Sequence, residues 1–355
     1  MKPSDWMSTI AACAVLVACS SSPRTSHGGG NGSSGGSGGS SGGSGATGTS
    51  GGSGNPQCAG LPSTCGAGGS ESCCAQAVVT GGTFKRSYDG VMYTDAGYTA
   101  TVSDFELDRF LVTVGRMRSF VTAVEGGWLP AAGSGKHTHV QGGGVNGGAE
   151  GGWDPSWNDK LAKTRSDWDG NLMCDATLQT WTSDPAQDEQ RPINCVIWEE
   201  AYAFCIWDGG FLPTEAEWNY AAAGGVEQRV YPWSSPASST SIDCADANYN
   251  PGSPCSSIGP NDVGSESPTG DGKWGQADLA GDLWEWQLDY FASPYAQANC
   301  HDCADLSSGG IRVIRGGTFN DDASFMATSY RHSYSQSGHN PLFGVRCARA
   351  PGGPT

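Results

Sequence analysis

Glycine limits what this chain can fold into more than any other residue does. The 355 residues include 55 Gly, and each one placed inside a helix or strand costs backbone entropy. They fall into two groups. Between residues 28 and 54, 15 Gly and 8 Ser fill 23 of 27 positions, the composition of a flexible linker. The other 40 lie beyond residue 59, and a folded domain so rich in Gly must rest on turns and loops rather than long helices. Helical bundles, coiled coils and multi-pass membrane proteins are thereby excluded. Charge narrows the partners. Lys2 and Arg24 cancel Asp5 and Glu71, so the formal net charge of −17 belongs to residues 81–355. Such a surface attracts cations and gives nucleic acid or anionic lipid no electrostatic reason to bind.

Behind Lys2, residues 9–18 form an almost wholly apolar run, too short to cross a bilayer as a helix. It ends in Leu16-Val17-Ala18-Cys19, which resembles the lipobox of bacterial lipoproteins. The resemblance implies that residues 1–19 are a signal peptide, with Cys19 lipidated as the new N-terminus. An ordinary secretory signal with an incidental Cys is the other reading. Residues 20–56 then form a Gly/Ser-rich tether, with a reach of about 30–35 Å. Ser20 after the lipidated Cys implies an outer-membrane address in a Gram-negative host. On this reading the chain is exported, and it meets the membrane only through its anchor.

Beyond Cys13 and Cys19, twelve Cys remain, an even number that in an exported chain reads as disulfides. Cys58, Cys65, Cys73 and Cys74 mark a Cys-rich segment, residues 57–77, that either staples itself or docks on the main domain. Cys300-His301-Asp302-Cys303 has CxxC spacing; without a second CxxC, a local bridge is favoured over a redox pair or half a zinc site. Cys244 with Cys255 and Cys174 with Cys195 are loop closures by proximity, and other pairings stay open.

Few segments are periodic. Residues 113–124 space Val114, Met117, Phe120, Val121 and Val124 as one helical face behind Thr113 as N-cap. Residues 198–207 repeat the pattern. In residues 214–223, Thr214 stands three before Glu217, a capping box. Residues 126–160 are Gly-rich and read as a long surface insertion, with His137 and His139 solvated. Residues 351–355 are a short tail.

Specific strings then accumulate in order: Gly81-Gly82-Thr83-Phe84, Arg191-Pro192, Leu212-Pro213-Thr214-Glu215-Ala216-Glu217-Trp218, Asp278-Leu279-Ala280-Gly281-Asp282-Leu283-Trp284-Glu285-Trp286, Arg315-Gly316-Gly317-Thr318-Phe319 and Phe343-Gly344-Val345-Arg346-Cys347-Ala348. Residues 78–350 resemble the formylglycine-generating enzyme, or sulfatase-modifying factor, family. The resemblance implies a single α+β domain of C-type-lectin-like type with little regular secondary structure. Trp198, Trp207, Trp218, Trp284 and Trp286 are then expected in the core, because large aromatic side chains must supply burial where helices and strands are few. It also implies a disulfide between Cys205 and Cys347. It implies Ca²⁺ held by the Asp278 and Glu285 side chains with the carbonyls of Gly281 and Leu283. A second family Ca²⁺ site is matched only at Asn248, since its later acidic ligand falls in a shortened stretch.

Family members oxidise a substrate Cys to formylglycine with O₂, using Cu(I) held by two thiolates, the soft ligands that this ion needs. Those positions fall near Asp321 and Phe325 or Met326, and neither is Cys. Copper chemistry is therefore not expected, and iron has no His set to hold it. Arg331 and His332 lie where the family lines its groove, as a carboxylate binder and a proton carrier. Alternatively, Arg331 pairs with one of the protein's own acids. The leading expectation is a Ca²⁺-stabilised binding or accessory module whose partner is an exported protein, peptide or glycan. The alternative is an oxidoreductase of formylglycine-generating or non-heme-iron type.

Overall fold

The computed structural model describes residues 56–58, 61–138, 150–185, 188–256, 259–307 and 309–352. The expected signal segment, Cys19, the tether up to residue 55, His139 and the last three residues lie outside these. The chain runs through β1 (Gln76–Val79), β2 (Gly82–Lys85), β3 (Thr99–Val102), β4 (Phe105–Asp108), α1 (Val114–Glu125), α2 (Arg165–Leu172), α3 (Trp198–Trp207) and α4 (Glu215–Ala222). Then come β5 (Trp284–Tyr290), β6 (Asn299–His301), β7 (Ile311–Arg315), β8 (His332–Ser335), β9 (Phe343–Gly344) and β10 (Ala348–Arg349). Three small sheets result, ordered β1-β4-β10, β2-β3-β6 and β8-β7-β5-β9. Pairing is antiparallel except for β3 with β6 and β5 with β9. No helix among the described residues is long and apolar enough to cross a membrane.

Local chemistry explains the helices. The Thr113 side chain accepts from Arg116 N at the start of α1, whose predicted apolar face is buried from Val114 to Val124. At α4 both halves of the capping box close: Glu217 N donates to Thr214 Oγ1 at 3.1 Å and Thr214 N to Glu217 Oε2 at 2.8 Å. In α3 nine of ten residues are buried, so packing rather than amphipathicity holds it. α2 has no apolar periodicity to mark it in the sequence, because only Trp168 and Leu172 of its eight residues are buried.

The core is aromatic as expected: Trp198, Trp218 and Trp286 are at most 1% exposed, and Trp207 and Trp284 are buried as well. The reading of residues 126–160 as a solvated insertion needs correction. Trp153 joins the main core, and His137 is 1% exposed. Its ring lies between Glu150 (Nδ1 to Oε1, 3.1 Å) and Glu217 (Nε2 to Oε2, 3.1 Å). Burial works against the charged imidazole, but the two carboxylates outweigh it and push its pKa up to about 10.

All twelve Cys among the described residues are in disulfides: 58–74, 65–73, 174–195, 205–347, 244–255 and 300–303. The Cys-rich segment staples itself and also docks. Cys65 and Cys73 pack with Phe110, Leu111 and Val263, and Glu71 pairs with Arg109 at 2.9 Å. Beneath the 205–347 bridge, Asp108 and Asp208 share the guanidinium groups of Arg116 and Arg349. Burial alone would raise the Asp108 pKa, yet the two guanidinium groups hold it below the usual carboxylate range.

Candidate functional site

The turn before β5 is built for close approach. Asp278, Gly281 and Asp282 all have positive φ, at 57°, 88° and 54°, a region that Asp tolerates better than most residues and Gly freely. A Cβ on Gly281 would stand 2.3 Å from the Asn248 carbonyl oxygen, so only Gly fits. That carbonyl accepts from Asp282 N at 3.0 Å. The turn thus carries Asp278 and Asp282 inward, where Glu266 meets them. One oxygen from each carboxylate lies within 4.8 Å of the others.

Each carboxylate is held in place by neutral donors. Asp282 Oδ1 accepts from Asn248 Nδ2 at 2.7 Å and from Asn261 N at 2.8 Å. Asp278 Oδ2 accepts from Gly264 N at 2.8 Å, and Glu266 Oε1 from Asn261 Nδ2 at 2.6 Å. Burial and the neighbouring Glu266 charge push Asp278 up to about 7, with Arg346 pulling the other way. Burial, then Asp278 and Glu266, raise Asp282 well above its ordinary value. Three carboxylates have been brought together without a cation of their own among them. Beside them Asn248 Oδ1, and further along the chain Glu285 Oε1, are buried without a hydrogen-bond partner among the described residues. An all-oxygen set rich in carboxylates is the donor chemistry of a hard divalent cation such as Ca²⁺.

The predicted ligands are therefore close in sequence but differently employed. Asp278 has Glu266 and Asp282 as its carboxylate neighbours. Glu285 spends Oε2 on Trp218 Nε1 at 2.9 Å and Arg346 Nε at 2.7 Å, leaving only Oε1. Gly281 and Leu283 contribute the turn itself. Asn248, assigned by resemblance to a second site, stands at this same centre. Glu266 was not foreseen, since nothing in its local sequence distinguishes it from a surface acid. Asp282 carried a signal, an acid in a turn where the family often has Asn. A second cluster, Asp108, Asp208 and Cys347, is already saturated by Arg116, Arg349 and the disulfide.

The other expected site, the groove at Arg331 and His332, lies beside Trp284. The Trp284 ring lies 5.9 Å from Tyr330, 5.5 Å from His332 and 6.3 Å from Phe325. Asp321 Oδ2 accepts from Thr318 N at 3.0 Å and Thr318 Oγ1 at 2.8 Å, and burial raises its pKa. Met326 is buried beneath Gly317. His332 is exposed, its Nδ1 accepting from Ser333 N at 2.6 Å. Arg331 takes the second of its two readings: its Nε and Nη2 donate to the two Glu215 oxygens at 2.5 and 2.7 Å. That guanidinium is occupied by the protein itself.

A family model described as the sulfatase-modifying factor enzyme 1-like domain matches residues 65–351, beginning inside the docked Cys-rich segment. The inactive C-alpha-formylglycine-generating enzyme 2 of Bos taurus is 31% identical over 170 residues, 46% of this chain and 52% of its own length. The formylglycine-generating enzyme of Streptomyces coelicolor is 30% identical over 183 residues, 47% of this chain and 55% of its own. The chain thus spans about half the length of these curated relatives. PvdO from Pseudomonas aeruginosa, 20% identical with a TM-score of 0.54, covers 78% of this chain and 94% of its own. That likeness shows the fold, a mixed α+β domain of formylglycine-generating-enzyme and C-type-lectin-like type with limited regular structure. Motif order, fold and family match agree: the chain belongs to the sulfatase-modifying factor family.

Proposed function

We propose that this domain is a non-copper member of its family, acting as a Ca²⁺-stabilised binding or accessory module on an exported, lipid-anchored chain. One observation carries the reading. The copper positions are taken by Asp321 and Phe325 or Met326, and every Cys among the described residues is in a disulfide. No soft thiolate remains in the domain for Cu(I). Inactive relatives at a similar identity support it.

The cation reading rests on Glu266, Asp278, Asp282 and the two unpartnered oxygens of Asn248 and Glu285. In this reading the ion supplies positive charge where three acids repel, and the chain supplies a rigid turn that presents them. Calorimetric titration of the purified domain tests it. Ca²⁺ at a hundredfold excess over its dissociation constant should stabilise folding by about 2–3 kcal/mol. Asp282→Asn should abolish that response while leaving the metal-free protein as stable or more so, because it removes repulsion. An unchanged Ca²⁺ response in Asp282→Asn, or none in the parent protein, contradicts the assignment. The anchor is tested separately, by the mass of the mature N-terminus: a lipid on Cys19 is expected, and an unmodified Cys19 contradicts it.

A further inference from the structure

Buried guanidinium groups in this protein are mostly neutralised. Arg116, Arg315, Arg331, Arg346 and Arg349 each have a carboxylate partner. Arg312 does not. It is 2% exposed, yet its hydrogen bonds go to neutral acceptors, Nε to Gln336 Oε1 at 3.2 Å and Nη1 to Leu288 O at 2.7 Å. Its Nη2 has no hydrogen-bond partner among the described residues. The guanidinium is sandwiched between aromatic rings, 3.6 Å from the Trp198 centroid and 3.5 Å from that of Tyr290. Burial without an ion pair lowers its pKa to about 10, the Tyr290 and Glu199 charges opposing the drop only in part. Gln336 links it to the buried Glu199, donating Nε2 to Glu199 Oε1 at 3.1 Å, but no carboxylate pairs with the guanidinium directly, and a buried charge without a direct ion pair is costly.

Arg312 forms the floor of a cavity of about 260 Å³. Arg86 also lacks an ion pair, but its cavity of about 30 Å³ holds little more than a water. The Arg312 cavity is smaller than the roughly 300–1,000 Å³ of sites for drug-sized molecules, so its occupant is small. Trp157, Trp198, Tyr202, Leu288 and Leu306 supply the apolar part of its wall, and Glu150, whose two oxygens are bonded to the His137 ring, lines it as well. The Trp157 ring meets that of Trp198 edge-on at 5.3 Å. At the rim the exposed Asp154 caps the turn that carries Trp157, with Oδ1 accepting from Ser156 N at 2.9 Å. Two hydrogen bonds from Ser156 hold the Asp154 pKa low, so a negative charge faces the mouth.

We propose that this cavity binds a small zwitterion of α-amino-acid type, with its carboxylate on Arg312, its ammonium at Asp154 and an apolar side chain against Trp157 and Leu306. A neutral sugar would leave the Arg312 charge uncompensated. A bare anion would have to pass Asp154 in a protein of net charge −17. Only a ligand with both charges satisfies floor and rim together. The site lies apart from the Trp284 face and from the carboxylate centre, so it stands or falls independently of the function proposed above.

Calorimetry and thermal shift on the full protein test it, with L-phenylalanine and L-leucine as probes. N-acetyl-L-phenylalanine keeps only the anion, L-phenylalaninamide only the cation, and methyl β-glucoside neither. The free amino acids should bind, and the blocked forms should bind at least about tenfold more weakly, the worth of a charge-assisted hydrogen bond. Arg312→Gln should abolish binding. Because Arg312 is buried, Asp154→Asn provides a variant on the exposed rim that leaves the fold intact, with an affinity about three- to tenfold lower. No binding by either amino acid at millimolar concentration overturns the proposal. So does equal binding of the acetylated form or the sugar, or an Asp154→Asn protein that binds as the parent does.

Discussion

His137 shows how one residue ties a Gly-rich stretch into the core. Its charge bridges Glu150 to Glu217, and Glu217 at the same time caps α4. The imidazole titrates near 6.5 when unfolded and near 10 in the fold. Its contribution is therefore complete below about pH 6.5 and is lost as pH rises towards 10. Urea unfolding of the parent protein and His137→Gln should give a stability difference that shrinks by about 1–3 kcal/mol between pH 6.5 and 9.5. A difference independent of pH contradicts the charged bridge. This residue was invisible to sequence reasoning because its surroundings, rich in Gly, have the composition of a solvated loop. Its partners lie 13 and 80 positions away, and no local pattern reports such distances. Gly281 is the opposite case, legible from the turn motif and explained by the Asn248 carbonyl. Gly281→Ala should destabilise the domain by about 1–3 kcal/mol, read by the same unfolding curves. A neutral substitution would show that the turn has room to spare.

At the scale of elements, caps and apolar spacing foretold α1, α3 and α4 to within a residue or two, because Thr113 and the Thr214–Glu217 box write their boundaries locally. The strands were not legible. Eight of the ten are four residues or shorter, and pairings such as β3 with β6 and β4 with β10 join segments far apart in the chain. The disulfides replace some of the order that short elements cannot supply. Cys205–Cys347 closes a separation of 142 residues and Cys300–Cys303 one of 3. Chain entropy makes the first worth about 3–5 kcal/mol and the second about 2 kcal/mol or less. Replacing both Cys of each pair by Ser and comparing unfolding free energies should reproduce that order, and a reversed order contradicts the entropic account.

At the scale of the whole molecule, acidic excess and turn-rich architecture meet in the carboxylate centre. The family resemblance pointed to Asp278, in the turn where three carboxylates gather, and did not point to Glu266. Motif matching follows the chain, whereas Glu266 reaches Asp278 and Asp282 across a fold of loops. The family resemblance puts Asp321 and Phe325 or Met326 where its thiolates stand, and the six disulfides take up every Cys among the described residues. The central claim is that family membership here comes without the family's copper oxidation. Its most direct test incubates the purified, oxidised protein with Cu(I), O₂ and a Cys-containing sulfatase-type peptide, and follows the peptide by mass spectrometry. The account predicts that the peptide Cys persists with no formylglycine above a protein-free control. Turnover of the peptide to formylglycine would contradict it.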